Sequence, residues 1–187
     1  METSGTITSV ERHQKKRDRY LIFIDGRFAF AVHEDILIKH RLLKGRTLDE
    51  NEIRSILLDD QRHEAYVAAL KWLGLKMRTK KELRDYLARK KYDGSVIDEC
   101  VRRLEEEKYL DDAGFSVSLA EERLKLHGKG KRWIRQELIA KGVDSHLIRQ
   151  TLGNIAEAEE GAAAVALAKK RWNIIGNRDD RRTARKK

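Results

Sequence analysis

Two hydrophobic patterns divide this chain. The first 64 residues carry short apolar runs bounded by turn residues, as strands do, while from residue 65 onward apolar positions recur every three or four residues, as in helices. Ile7 to Val10 is a short β-prone stretch. Tyr20-Leu-Ile-Phe-Ile24 and Phe28-Ala-Phe-Ala-Val32 flank Asp25-Gly26, a dipeptide favoured where a tight hairpin needs positive φ. In the second arm Phe28, Phe30 and Val32 alternate with alanine, the pattern of a half-buried strand. His33 to His40 reads as a short helix. Thr47-Leu-Asp-Glu50 is a capping-box pattern that marks a helix start. The stretch through Ile53, Ile56 and Leu57 to Leu75 fits one long helix or two abutting ones.

The helical part repeats. Shifting the chain against itself by 51 positions sets Leu75 on Leu126, Leu83 on Ile134, Leu87 on Leu138, Tyr92 on Val143, Asp93 on Asp144 and Ile97 on Ile148. The spacing predicts helices at 65–76, 80–90 and 94–107 in one unit and at 112–126, 131–141 and 145–155 in the next. Asp93 and Asp144 fall where an N-cap is needed, and Gly142 falls where a helix should end. A third unit opens with the Ala-rich stretch from Ala156 to Trp172 and runs into the basic segment to Lys187, so the chain is expected to end inside it. Units too small to bury their own apolar faces must stack. The expected fold class is therefore mostly α, with tandem three-helix repeats in an elongated, curved array and a small N-terminal β-hairpin or sheet region. The expected domains are 1–64, 65–108, 109–155 and 156–187.

Charge adds a functional hint. The chain of 187 residues has a net charge of +10, no proline and 39% charged residues, which excludes collagen-like and proline-rich classes. The excess is uneven: residues 1–64 balance 12 basic against 12 acidic side chains, residues 65–155 hold 20 against 14, and residues 156–187 hold 9 against 5. Such a field attracts nucleic acid or acidic partners. Five cations recur at the repeat offset: Arg78 with Lys129, Lys80 with Lys131, Lys81 with Arg132, Arg84 with Arg135, and Lys90 with Lys141. They form a stripe on the side of the helix away from Leu83 and Leu87. One reading is a solvated face inherited through duplication; the other is a periodic cationic surface matched to a phosphate backbone or an acidic groove. Arg178, Arg181, Arg182 and Arg185 extend the basic character into the tail, either as a sequence-blind contact or as an uncovered half-unit. Trp133, between Arg132 and Arg135, suits either the core edge or stacking on a base or partner. Trp72 and Trp172 are read as core or inter-repeat packing.

Catalytic chemistry is not apparent. Gly128-Lys-Gly130 lacks the spacing of a phosphate-binding loop. His33 and His40 have no ligand partner at helical spacing, so no metal site is expected and a structural or surface role is assigned to both. His127 suits a helix C-terminus, Asp111 and Asp112 a loop and N-cap, and Cys100 a small buried apolar position. No cofactor is expected. No run approaches the roughly 20 apolar residues of a membrane span, and Met1 to Gly5 does not begin a signal peptide. A cytoplasmic monomer without membrane contact is the expectation.

Tyr109-Leu-Asp-Asp112 with Phe115, Gly128 through Leu138, Lys141-Gly-Val143 and Ile148 together resemble the RecX family of bacterial recombinase regulators. The resemblance spans about residues 65–175, and the first 64 residues resemble the extra N-terminal region of some members. It implies tandem three-helix repeats, no catalytic residues, and a protein that engages RecA filaments on single-stranded DNA, usually to restrain them. Family members generally complete a third unit. The alternative reading of the residues themselves is a helical nucleic-acid-binding module without a recombinase partner.

Overall fold

The computed structural model describes residues 4–156 and, beyond them, residues 161, 162, 165, 167–169 and 172. The described residues within 1–75 and 87–103 form one compact unit, and those within 76–86 and from 104 onward form a second.

The first unit is built on an antiparallel sheet. Strands β1 (Gly5–Arg12), β2 (Arg19–Ile24), β3 (Arg27–His33) and the two-residue β4 (Thr47–Leu48) are ordered β3-β2-β1-β4. Ile24 pairs with Arg27 across the Asp25-Gly26 turn, where φ is 49° and 77°, so both central residues have the positive φ of a right-twisting two-residue hairpin. The β2–β3 register then shifts: Ile22 pairs with Phe30 but Phe23 pairs with Phe28. The extra residue reverses the in–out parity of β3. Phe30 and Val32 are buried, but Phe28, expected on their side, is 58% exposed and packs edge-on against Phe23 with ring centroids 5.9 Å apart.

Helix α1 (Glu34–Lys39) follows at once, capped by the His33 imidazole, which accepts the Asp35 amide. Helix α2 (Glu50–Leu73) is a single helix of 24 residues. Its capping box is Asp49 with Glu52, not Thr47 with Glu50, because Thr47 is taken into the sheet opposite Thr6. Ile7, Ile22, Ile24, Val32, Ile36, Leu42, Leu48, Ile53 and Ile56 form the core between sheet and helices. Each such fully buried aliphatic side chain contributes about 1.5–3 kcal/mol relative to exposure. A polar clamp fixes α2 on the sheet. Asp60, 5% exposed, accepts the Arg19 guanidinium at 2.7 Å and the His33 amide at 2.8 Å, and Arg19 also meets Glu64 and the Ala31 carbonyl.

Helices α3 (Lys80–Arg89) and α4 (Gly94–Glu106) come next, at the places the periodicity assigns. Cys100 is buried on α4. The second unit contains α5 (Asp112–Lys125), α6 (Lys131–Ala140) and α7 (Ser145–Gly153), packed around Phe115, Leu119, Leu124, Ile134, Leu138, Val143 and Ile148. Asp111 caps α5 through the Gly114 amide, and Asp144 caps α7 through the His146 amide.

The repeat extends to backbone detail. Lys91 and Gly142, 51 positions apart, both adopt left-handed φ, 66° and 74°. The next residue in each case donates to the carbonyl of the matched core leucine, Tyr92 to Leu87 and Val143 to Leu138. The same helix stop therefore occurs twice, with glycine in only one copy. Trp172, expected to pack, is 77% exposed, as is Val165 to 54%, so neither side chain has a covering layer among the described residues. No helix among the described residues is long and apolar enough to cross a membrane.

Candidate functional site

The second unit gathers most of the recurring cations. On α6 the positions Ile134 and Leu138, one turn apart, are fully buried, which turns Arg132 and Arg135 outward three residues apart, with Lys131 half-buried at the start of the helix. Arg132 and Arg135 are exposed and make no ion pair among the described residues. Trp133 lies beside them, 43% exposed, with the Lys129 ammonium 4.8 Å and the Arg123 guanidinium 5.8 Å from its ring centroid. Those separations are in the cation–π range. The surface of α6 thus offers two outward guanidiniums and a partly open indole with further positive charge beside it. Arg84 repeats the outward placement of Arg135, on the exposed side of α3 opposite the buried Leu83.

Most of the remaining described cations have internal work. Lys80 Nζ lies 2.5 Å from Glu105, and the Lys80 amide donates to the Asp112 carboxylate at 3.0 Å. Lys81 lays its stem over Gly142 and donates to the Ala140 carbonyl at 3.2 Å. Lys141 is half-buried against Glu82, and its carbonyl accepts the Thr79 hydroxyl at 2.7 Å. Arg78 is half-buried with its charge near Glu82. Lys90, one residue past α3, is exposed in the first unit. The four tail arginines, Arg178, Arg181, Arg182 and Arg185, lie outside the described residues.

Two supporting groups escape a reading of the repeat. Thr79-Lys-Lys-Glu82 is a reciprocal capping box, each residue's amide bonding the other's side chain at 3.2 Å. The T-x-x-E spacing was available to find it. Burial alone would raise the Glu82 carboxyl, but the Lys141 ammonium, the Thr79 amide and the Arg78 charge hold it below its ordinary value. Arg123 forms a bidentate pair with Glu137 at 2.7 and 2.8 Å, joining α5 to α6 beneath Trp133. Its repeat partner position is Trp72, so the self-comparison carries no signal for it. Asp112, buried at the start of α5, has its carboxyl raised, first by desolvation, despite the Lys80 amide it accepts.

His33 and His40 take structural positions at the two ends of α1, His40 meeting Asp59 at 2.8 Å. His127 is exposed, just past the end of α5 and 3.5 Å from Glu122. Nothing in the α6 surface resembles a catalytic constellation; its chemistry is that of charge and stacking.

Comparison with known proteins agrees with these elements. Residues 5–49 match the model of the "Regulatory protein RecX N-terminal domain", residues 65–104 that of "RecX, first three-helix domain", and residues 111–152 that of "RecX, second three-helix domain". The chain is 37% identical over 146 residues to the Regulatory protein RecX of Bacillus velezensis, covering 78% of this chain and 56% of the relative. It is 35% identical over 159 residues to that of Bacillus subtilis, covering 85% and 60%. It therefore spans somewhat more than half the length of these curated relatives. A crystal structure of regulatory protein RecX superposes with a TM-score of 0.73 at 30% identity, covering 94% of this chain and 85% of that one. A RecX crystal structure from Lactobacillus salivarius gives 0.58 at 25% identity, covering 64% and 77%. With three successive domain models matched in order and a solved relative that covers 94% of this chain, this chain belongs to the RecX family of regulatory proteins.

Proposed function

We propose that this chain is a non-enzymatic regulator of homologous recombination that binds RecA filaments on single-stranded DNA and lowers their ATPase and strand-exchange activity. The observation that supports it most is the α6 surface: Arg132 and Arg135 face outward without acidic partners among the described residues, beside the half-open Trp133. Arg84 on α3 repeats the outward position one sequence repeat, 51 residues, earlier. Contacts spaced along a polymer reinforce one another, since each docked segment raises the effective concentration of the next. Side chains seated in a filament groove exclude a homologous duplex and disturb the subunit boundary where ATP is hydrolysed.

The experiment is a competition between RecA-coated and naked single-stranded DNA at equal salt. Preference for the coated strand supports the proposal. Equal or stronger binding to the naked strand supports the second reading, a helical module that binds nucleic acid alone. Trp133 is the feature that favours this second reading, because an indole flanked by cations is a stacking platform for an unpaired base.

A further inference from the structure

We infer that His33, Asp35 and His63 form a binding site for a divalent transition metal of the zinc class within the first unit. His33 ends β3, Asp35 lies in the first turn of α1, and His63 lies on α2. His33 and Asp35 are neighbours in the chain and His63 lies 28 positions beyond Asp35, yet each offers a ligand atom within 4.8 Å of the others. Asp35 Oδ2 is 3.5 Å from His33 Nδ1 and 3.5 Å from His63 Nε2. Two donors bound to zinc at about 2.0–2.1 Å in tetrahedral geometry lie about 3.3 Å apart, so the three atoms need only small shifts to share one ion.

The donor chemistry fits. His63 Nε2 is fully enclosed and makes no hydrogen bond among the described residues, although a buried ring nitrogen ordinarily finds a partner. His33 Nδ1 carries a lone pair, since it accepts the Asp35 amide, and that contact is weak at 3.2 Å. On the far edge of the same ring, Nε2 faces the Asp18 carboxylate at 3.6 Å, the placement of an outer carboxylate that orients a metal-bound imidazole. The two rings are 4.3 Å apart at their centroids.

The surroundings permit entry. A depression of about 290 Å³ lined by Asp35, His63, Glu99 and Cys100 gives access and room for a water ligand. The cations bordering it are engaged: Lys39 with Asp59 at 2.6 Å, Arg62 with Glu99 at 2.8 Å, and Arg103 over the Tyr66 ring at 3.8 Å. Two imidazoles and one carboxylate suit zinc or cobalt and are poor for magnesium. A bound ion would tie the hairpin, α1 and α2 together.

The test uses the full, untagged chain stripped with EDTA and titrated with Co2+. One equivalent should bind with the intense visible band of a four- or five-coordinate ion, Zn2+ should displace it, and Mg2+ should not. Zn2+ should also raise the thermal midpoint. His63→Gln and Asp35→Asn should each weaken Co2+ binding at least tenfold and remove the band, while His127→Gln should leave both unchanged. Absence of stoichiometric binding, or equal binding by the His63 and Asp35 variants, overturns the site. If either variant fails to fold, the imidazole 15N shifts of the wild-type chain decide: His33 and His63 must move on adding Zn2+, and movement confined to other histidines overturns the inference.

Discussion

The ammonium of Lys141 lies 2.5 Å from the carboxylate of Glu82, and this contact separates two kinds of cation that the sequence repeat treats alike. Lys141 matches Lys90 in the self-comparison, yet its charge is spent on holding α6 against the start of α3. Lys141→Ala is therefore expected to lower stability by about 1 kcal/mol, the scale of a partly exposed pair. It should leave filament affinity within twofold. Urea unfolding and a binding titration on one sample distinguish the two effects.

The pH dependence of that pair has a definite sign. The folded Glu82 carboxyl titrates below its ordinary value of 4.5, so its contribution is complete above that value and disappears as pH falls through the folded value. Asp59 shifts the same way: desolvation opposes ionisation, but Lys39 and His40 outweigh it. Unfolding midpoints measured from pH 7 down to pH 3 should fall, and Glu82→Gln, which keeps the capping geometry, should flatten part of that slope.

Gly142 and Lys91 provide a paired test of the helix stop. A Cβ at Gly142 would come within 2.3 Å of the Lys81 side chain and would also meet left-handed φ, so Gly142→Ala should destabilise by about 1–2 kcal/mol. Lys91 pays the same backbone strain already, and Lys91→Gly should stabilise by up to about 1 kcal/mol. Denaturant unfolding of the two variants reads opposite signs.

The Arg19–Asp60 clamp is the most sensitive polar contact of the first unit. Asp60→Ala would leave the His33 amide without its acceptor and remove one of the two carboxylates that meet the Arg19 guanidinium, which keeps Glu64 and the Ala31 carbonyl, at a cost of about 1–3 kcal/mol. The replacement should lower the urea midpoint far more than any substitution among the exposed cations of α6.

Much of this fold is legible in the residues. Ile134, Leu138 and Ile148 repeat the apolar spacing of Leu83, Leu87 and Ile97, and that periodicity places α3, α4, α6 and α7 within a residue or two. Asp25-Gly26 marks the hairpin because few other dipeptides accept positive φ twice. The failures have a common cause in contacts between distant segments. The β2–β3 bulge that turns Phe28 outward has no local signal. Thr47–Glu50 and Asp49–Glu52 are overlapping capping patterns, and only the pairing of Thr47 with Thr6 selects the second. The same holds for the cations: Arg132, Arg135 and Lys141 look equivalent in sequence, and it is Glu82, 59 positions away, that withdraws Lys141 from the surface. His63 likewise becomes a neighbour of His33 only through the packing of α2 on the sheet.

The most direct measurement of the central claim is the affinity of Arg132→Glu/Arg135→Glu for RecA filaments on single-stranded DNA, with the thermal midpoint recorded alongside. An unchanged midpoint is expected, with at least a tenfold loss of affinity, equivalent to about 1.4 kcal/mol, and a shallower dependence on salt. Wild-type affinity in a folded double variant would contradict it.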